Sequence, residues 1–276
     1  MIDSISDCTL LNNGHQMPWL GLGVFQIEDG QQVAQAVKAA LEIGYRSVDT
    51  ATVYGNESGV GKAIRESGVP REDVFLTTKL WNDDQRGKRV LAAFEESLKR
   101  LDTEYVDLYL IHWPVKGCYQ ETWHEMEKIY NSGRARAIGV SNFQVHHLED
   151  ILSDSQVVPT VNQIEFHPFL IQPELREFCQ EHKIQVEAWS PLMQGRIITE
   201  EAVRELAKQH HRTPAQITLR WDLQHDVVTI PKSTHANRIA ENAQVFDFEL
   251  SQEDMNVLDA LDQGRRVGPD PDSFSF

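Results

Sequence analysis

Val74-Phe-Leu-Thr-Thr-Lys79 and Val106-Asp-Leu-Tyr-Leu-Ile111 are two short β-branched and aliphatic runs, and between them Val90, Phe94, Leu98 and Leu101 recur at helical spacing. A strand-length run, a helix with one apolar stripe and a second run make a strand-helix-strand unit. The same alternation extends in both directions. Leu20-Gly-Leu-Gly23 and Ser47-Val-Asp49 precede it, separated by a helical stripe of Val33, Val37, Ala40 and Leu41. Ala137-Ile-Gly-Val140, Val161-Asn-Gln-Ile-Glu165, Gln185-Val-Glu-Ala-Trp189 and Val227-Val-Thr-Ile230 follow it. The runs end roughly every 24 to 41 residues, the size of one strand plus one helix. Eight such units in parallel order predict an α/β fold, a closed (β/α)8 barrel forming one domain over residues 1–276.

The rival architecture, an open doubly wound sheet, normally carries Gly-x-Gly-x-x-Gly after its first strand, and here Gly21-Leu-Gly23 is followed by Gln26. Before that strand, Thr9 to Pro18 holds the pair Asn13-Gly14 between two short arms, which predicts a β-hairpin cap placed to plug the barrel floor. After the last helix, Gly264-Arg-Arg-Val-Gly-Pro-Asp-Pro-Asp272 is rich in turn formers and acids, and reads as a short tail over the surface.

The chain has 276 residues, with 42 acidic residues against 26 Lys plus Arg, a formal charge of −16 that repels phosphate backbones and anionic headgroups. Nucleic acid and membrane surfaces are therefore not expected partners. Cys8, Cys118 and Cys179 lie far apart with no Cys-x-x-Cys pair, which suits a reducing cytoplasm. The start lacks a basic and apolar leader, and no apolar run approaches the ~18 residues of a membrane span.

Several chemistries fail on spacing. Asn56-Glu-Ser-Gly-Val-Gly61-Lys62-Ala63 resembles a phosphate loop but lacks its first glycine and its magnesium-binding hydroxyl, so it reads as a helix start. His124-Glu125 is followed by Lys128 where a zinc motif needs His. His146-His147 and His210-His211 are adjacent pairs, pointing about 100° apart on a helix, and read as solvated surface. Gly139-Val-Ser141-Asn142-Phe143 ends in Phe, which disfavours a nucleophile elbow. No metal is expected.

What survives sits at the carboxyl ends of neighbouring strands, where a parallel barrel keeps its chemistry. Asp49 ends the second strand, Tyr54 follows it, Lys79 ends the third and His112 follows the fourth. Singly these read as a cap, a rim residue or a snorkelling lysine; together they form a proton relay. An ammonium near a phenol is expected to lower its pKa, and a buried ammonium needs a counterion such as Asp49. Tyr54 would then be the general acid toward a carbonyl oxygen that His112 orients, with an organic hydride donor implied. Two alternatives keep the barrel: Lys79 as a Schiff-base nucleophile, or a non-catalytic subunit retaining a cofactor site. Ser141, Asn142 and Gln163 offer groups for a carboxamide and Trp189 a flat face for a ring, although Gln163 equally suits backbone satisfaction and Trp189 core filling. The segment from Lys232 to Asn242 puts cations and a hydroxyl at a helix start, a natural anion site whose alternative is plain solvation.

The stretches Gly44-Tyr-Arg-Ser-Val-Asp49-Thr-Ala-x-x-Tyr54-Gly-Asn-Glu57, Leu108-Tyr-Leu-Ile-His112-Trp-Pro114, Gly139-Val-Ser-Asn142-Phe143 and Ile230-Pro-Lys232-Ser233 resemble the aldo-keto reductase family, in order, from about Thr9 to the C-terminus. The resemblance is strongest to its bacterial glyoxal or methylglyoxal reductases and 2,5-diketogluconate reductases. It implies an NADPH-dependent carbonyl reductase without metal, monomeric, with Asp49, Tyr54, Lys79 and His112 as catalytic tetrad. It further implies that Ser141, Asn142, Gln163 and Trp189, with Ser190 and Leu192, bind the nicotinamide side of the cofactor. Lys232, Ser233 and Arg238 would hold the adenosine 2′-phosphate, with Glu241 and Asn242 near the adenine. Phe25, Trp81 and Trp113 would line the substrate pocket, and the tail from Arg265 to Phe276 would influence specificity. The expected substrates are small aldehydes and dicarbonyls such as methylglyoxal; the alternative is a diketogluconate-type sugar ketone.

Overall fold

The computed structural model describes residues 2–276; Met1, where both the expected domain and the segment read for a leader begin, lies outside them. In chain order the strands are β1 (Cys8–Leu10), β2 (Gln16–Pro18), β3 (Leu22–Gly23), β4 (Ser47–Asp49), β5 (Phe75–Leu80), β6 (Val106–Ile111), β7 (Ala135–Ser141), β8 (Val161–Glu165), β9 (Gln185–Trp189) and β10 (Val228–Thr229). The helices are α1 (Gln31–Ile43), α2 (Glu57–Glu66), α3 (Asn82–Arg86), α4 (Val90–Leu101), α5 (Tyr119–Asn131), α6 (Val145–Leu152), α7 (Pro173–Glu181), α8 (Glu201–Gln209), α9 (Pro214–Gln224), α10 (Ala236–Asn242) and α11 (Gln252–Asp259). None of the helices is long and apolar enough to cross a membrane, among the described residues.

Strands β3 to β10 are parallel and lie side by side in sequence order, so this is an α/β fold with one eight-stranded sheet and a small antiparallel pair at the N-terminus. The sheet is curled, and hydrogen bonds link the segments beside its two outer strands. Gly21 N–H donates to Thr229 O and Gly23 N–H to Pro231 O, while Thr229 N–H donates to Trp19 O. Glycine is required at Gly23, because a Cβ there would lie 2.8 Å from the Ile230 carbonyl oxygen. The predicted helical stripes face inward as expected: Val33, Val37, Ala40 and Leu41 on α1, and Val90, Phe94, Leu98 and Leu101 on α4, are all buried against the outside of the sheet.

Inside the sheet, alternate residues form two layers. Toward the strand starts they are apolar: Phe75, Leu108, Leu110, Ala137, Val161 and Val228 make one cluster, closed from below by Leu11 and Met17 of the β1–β2 hairpin. Asn12 Nδ2 and Asn13 Nδ2 fasten that hairpin to the carbonyls of Pro159 and Arg136. The plug reading is thus correct, though the turn is wider than the Asn-Gly pair implies: Gly14 N–H donates to Leu11 O, and Gly14, at φ 87°, opens the return arm. Toward the strand ends the inward residues become polar, from Thr77 to Lys79 on β5, Gly139 to Ser141 on β7 and Val161 to Gln163 on β8. The dry floor therefore leaves polar chemistry to the carboxyl rim.

The residues from Asn56 to Ala63 are the helix start expected of them. Asn56 lies buried, donates to the carbonyls of Val24 and Ile27, accepts from Thr50, and leads into α2.

Candidate active site

Parallel pairing puts Gly23 opposite Asp49, Asp49 opposite Thr77 and Gln163 opposite Glu187. Because side chains alternate, Asp49, Lys79 and Gln163 share the inner face at nearly one height. Lys79 Nζ donates to Asp49 Oδ1 at 2.6 Å, Thr50 O at 2.9 Å and Tyr54 Oη at 3.4 Å. An ammonium has three protons and no lone pair, so Tyr54 Oη accepts here and its own O–H is free to donate toward the rim. Burial pushes the Lys79 ammonium down most strongly, but Asp49, with Tyr54 and Glu187, together push it up by more, and it stays charged above its ordinary value. A permanently charged lysine with every proton committed is no amine nucleophile, which counts against the Schiff-base alternative.

For Tyr54 the balance differs from the sequence expectation. Burial pushes the phenol above its ordinary value, and the Lys79 charge pulls it only part of the way back. The expected net acidification is therefore incorrect: the ammonium restrains a rise that desolvation dominates. Tyr54 consequently enters neutral solution as a protonated acid. His112 sits edge-on to Tyr54 with ring centres 5.7 Å apart. Burial, and then the Lys79 charge, hold its imidazole well below the ordinary value, so it is neutral. Its Nδ1 is buried without a partner among the described residues, and an orphaned lone pair costs less than an orphaned N–H, which leaves the proton on Nε2.

Around this relay stand the three expected aromatics. Phe25 lies 5.0 Å from the Tyr54 ring and Trp81 5.3 Å from His112, while Trp113 is buried beside them. Two further aromatics come from the tail, which does more than cover surface. Phe276 stacks on Trp81 at 5.8 Å and meets Trp113 edge-on, and Phe274 lies 5.1 Å from Trp113. The tail is held where it crosses the rim by Glu165, which accepts Val267 N–H at 2.5 Å and Gly268 N–H at 3.2 Å and pairs with buried His167. Nothing local in the sequence marks Glu165 for this; the only signal for Phe274 and Phe276 is an aromatic pair in an otherwise polar tail.

The remaining expected residues form a strip beside the relay. Gln163 Nε2 spends its two protons on Asp49 Oδ2 (2.9 Å) and Glu187 Oε2 (2.6 Å), so its amide orientation is determined and only its oxygen is left to accept. Ser141 Oγ donates to Gln163 O; Asn142, in the left-handed region at φ 66°, donates to His112 O and accepts Trp189 Nε1–H at 2.8 Å. Trp189 is partly exposed and does not merely fill core. Ser190 and Leu192 follow it, both partly exposed. Across the rim, Ser233 accepts His235 N–H before α10, and Asn242 is buried at its end. Lys232 and Arg238 are exposed and in no ion pair among the described residues, notable in a chain of charge −16, whereas Glu241 accepts from Thr213.

His147 corrects another expectation. It is buried, and its Nδ1 accepts Gln144 N–H to cap α6, which puts the ring proton on Nε2 facing Asp272 of the tail at 3.6 Å. His146 approaches the same carboxylate at 3.2 Å. His147 is thus a cap rather than solvated surface, while His146 is exposed as expected and joins it in tethering the tail.

A model of the aldo/keto reductase family matches residues 19–263. The chain belongs to this family. Among curated relatives, the glyoxal reductase of Bacillus subtilis (strain 168) is 57% identical over 276 residues, covering 100% of each chain. The methylglyoxal reductase DkgA of Escherichia coli (strain K12) is 48% identical over 268 residues, covering 96% of each. Among solved structures, a mutant of Gox0644 in complex with NADPH superposes with a TM-score of 0.93 at 45% identity, covering 98% of this chain and 99% of that one.

Proposed function

We propose that this aldo-keto reductase uses NADPH to reduce small aldehydes and dicarbonyls of the methylglyoxal and glyoxal type to alcohols. The observation that carries the reading is the triply donating Lys79, which leaves the Tyr54 O–H as the free donor at the mouth of an aromatic crevice. The relatives' names supply the substrate type, and the NADPH complex of Gox0644 supplies the cofactor.

The residues present fit a nicotinamide dinucleotide phosphate. Gln163, with its orientation locked, offers an acceptor for a carboxamide N–H; Trp189 offers a ring face; unpaired Lys232 and Arg238, with Ser233, offer a cradle for a 2′-phosphate. Ser190, Leu192, Glu241 and Asn242 complete the assigned contacts, and Ser141 and Asn142 hold Gln163 and Trp189 in place. When bound, the cofactor supplies hydride to the carbonyl carbon. The protein's own part is to protonate the oxygen: His112 Nε2–H orients it, Tyr54 Oη–H transfers the proton, and Lys79, anchored by Asp49, stabilises the phenolate left behind. Phe25, Trp81, Trp113, Phe274 and Phe276 exclude water from that step. Such an apolar wall has few fixed polar groups to discriminate among carbonyls, which favours small substrates over the diketogluconate alternative.

The reading extends to the architecture. Hydrogen bonds between the segments around β3 and β10 support a closed (β/α)8 barrel acting as a single domain, and the relay is complete within one chain, as a monomer requires. Three free cysteines fit a reducing cytoplasm. Mixing the protein with NADPH and methylglyoxal should bleach the nicotinamide absorbance. Tyr54→Phe should lower that turnover by about 10²-fold or more with NADPH binding retained; turnover close to the wild-type rate overturns the assignment of the acid.

A further inference from the structure

Two carboxylates, not one, stand beside Lys79 on the inner face. Glu187, on β9, is 0% exposed, as is its register partner Gln163 to within 2%. The line of hydrogen bonds runs without a break from Glu187 Oε2 to Gln163 Nε2 (2.6 Å), to Asp49 Oδ2 (2.9 Å), from Asp49 Oδ1 to Lys79 Nζ (2.6 Å), and on to Tyr54 Oη (3.4 Å). Four strands and the turn after β4 each contribute one member. Glu187 Oε1 has no hydrogen-bond partner among the described residues, and no cation pairs with Glu187. A buried carboxylate with one neutral donor and an open oxygen is costly unless it carries a proton or serves its neighbours.

We infer that Glu187 is a positioning residue for the reduction, aligning Gln163 and Asp49 with Lys79 and Tyr54 and placing a titratable charge beside them. The inference rests on Tyr54 being the acid. Two consequences follow from the chain of bonds. First, Glu187 and Asp49 together claim both protons of the Gln163 amide, which prevents the flip that would turn its nitrogen toward the crevice. Second, the titratable groups that face Glu187 are Asp49 on β4, Lys79 on β5 and Tyr54 after β4; β8 presents neutral Gln163 and β10 neutral Val228. Burial, then the Asp49 charge, push the Glu187 carboxyl up to about 8, so it holds a proton at neutral pH and loses it in mild alkali. Once ionised it raises both Tyr54 and Lys79, and Tyr54 keeps the proton it must deliver to higher pH. Glu187 thus widens the alkaline range of the reductase.

The experiment compares kcat/KM for methylglyoxal reduction against pH in wild type, Glu187→Gln and Glu187→Asp, with NADPH binding followed by fluorescence and folding by circular dichroism. Wild-type turnover that Tyr54→Phe lowers by about 10²-fold or more establishes the underlying reading independently. In Glu187→Gln, still folded and still binding NADPH within about threefold, the alkaline limb should move down by about half a pH unit or more, the scale of one buried charge a few ångströms away. Glu187→Asp should return it toward wild type. An unmoved limb in folded Glu187→Gln, or a limb that Glu187→Asp leaves as displaced as Glu187→Gln does, overturns the inference. Should Glu187→Gln not fold, the wild type still decides: pH-difference infrared spectra should contain a buried carboxyl that ionises near pH 8 and persists in Asp222→Asn, which removes the other fully buried carboxyl held well above its ordinary value. Absence of that band overturns it too.

Discussion

Replacing Lys79 by Met keeps an unbranched stem of similar length and removes the ammonium that bridges Asp49, Thr50 and Tyr54. Asp49 is then left with Gln163 as its one side-chain donor. The side chains of the broken pair are 0% and 3% exposed, so water does not take the place of the lost charge. An uncompensated buried charge of this kind costs about 3–5 kcal/mol, a large part of the stability of an ordinary domain. Protonating the stranded carboxylate removes that charge, so the Lys79→Met deficit should be smaller near about pH 4 than near about pH 8. Urea unfolding of wild type and variant at both pH values measures this directly. Adding Asp49→Asn removes the second charge and should recover about 2 kcal/mol or more at the higher pH, flattening the pH dependence. A deficit under about 1 kcal/mol, or one equal at both pH values, refutes the view of Asp49 and Lys79 as a mutually dependent buried pair.

Four further outcomes can be measured. Tyr54→Phe should lower kcat by about 10²-fold or more while the NADPH dissociation constant stays near wild type, since the variant loses a proton and no cofactor contact. Lys232→Ala and Arg238→Ala should each weaken NADPH by about tenfold or more and leave NADH nearly unchanged, as expected of charge-assisted contacts to a phosphate that NADH lacks; equal losses for both cofactors would place the phosphate elsewhere. Glu165→Ala removes the acceptor for Val267 and Gly268, so limited proteolysis should cut the tail sooner and KM for small aldehydes should change more than kcat; an unchanged cleavage rate would mean that the remaining contacts of Asp272, Phe274 and Phe276 hold the tail without Glu165. Tyr109→Phe deletes a buried hydroxyl with no partner among the described residues and should raise stability by up to about 1–3 kcal/mol in thermal or urea unfolding, whereas a loss would mean that the hydroxyl is hydrogen-bonded.

The alternation of apolar runs with helical stripes is a local property, legible because strand and helix periods differ and because each helix buries a single face. That is why the eight parallel strands, the order of the elements and the rim positions of Asp49, Tyr54, Lys79 and His112 could be read along the chain, and why Phe25, Trp81 and Trp113 were found around them. What sequence alone left open is everything that depends on several strand ends converging. Which donors each carboxylate meets, whether desolvation or a neighbouring charge governs Tyr54, and the recruitment of Glu187 through Gln163 follow from register and burial across β4, β5, β8 and β9. The same holds for the tail. Its composition speaks of solvent, yet Glu165, His147 and two tryptophans, at least a hundred residues away in sequence, draw it back over the rim. Periodicity is written into neighbouring residues, whereas proton balance is set by the distances that only the closed packing of distant segments creates.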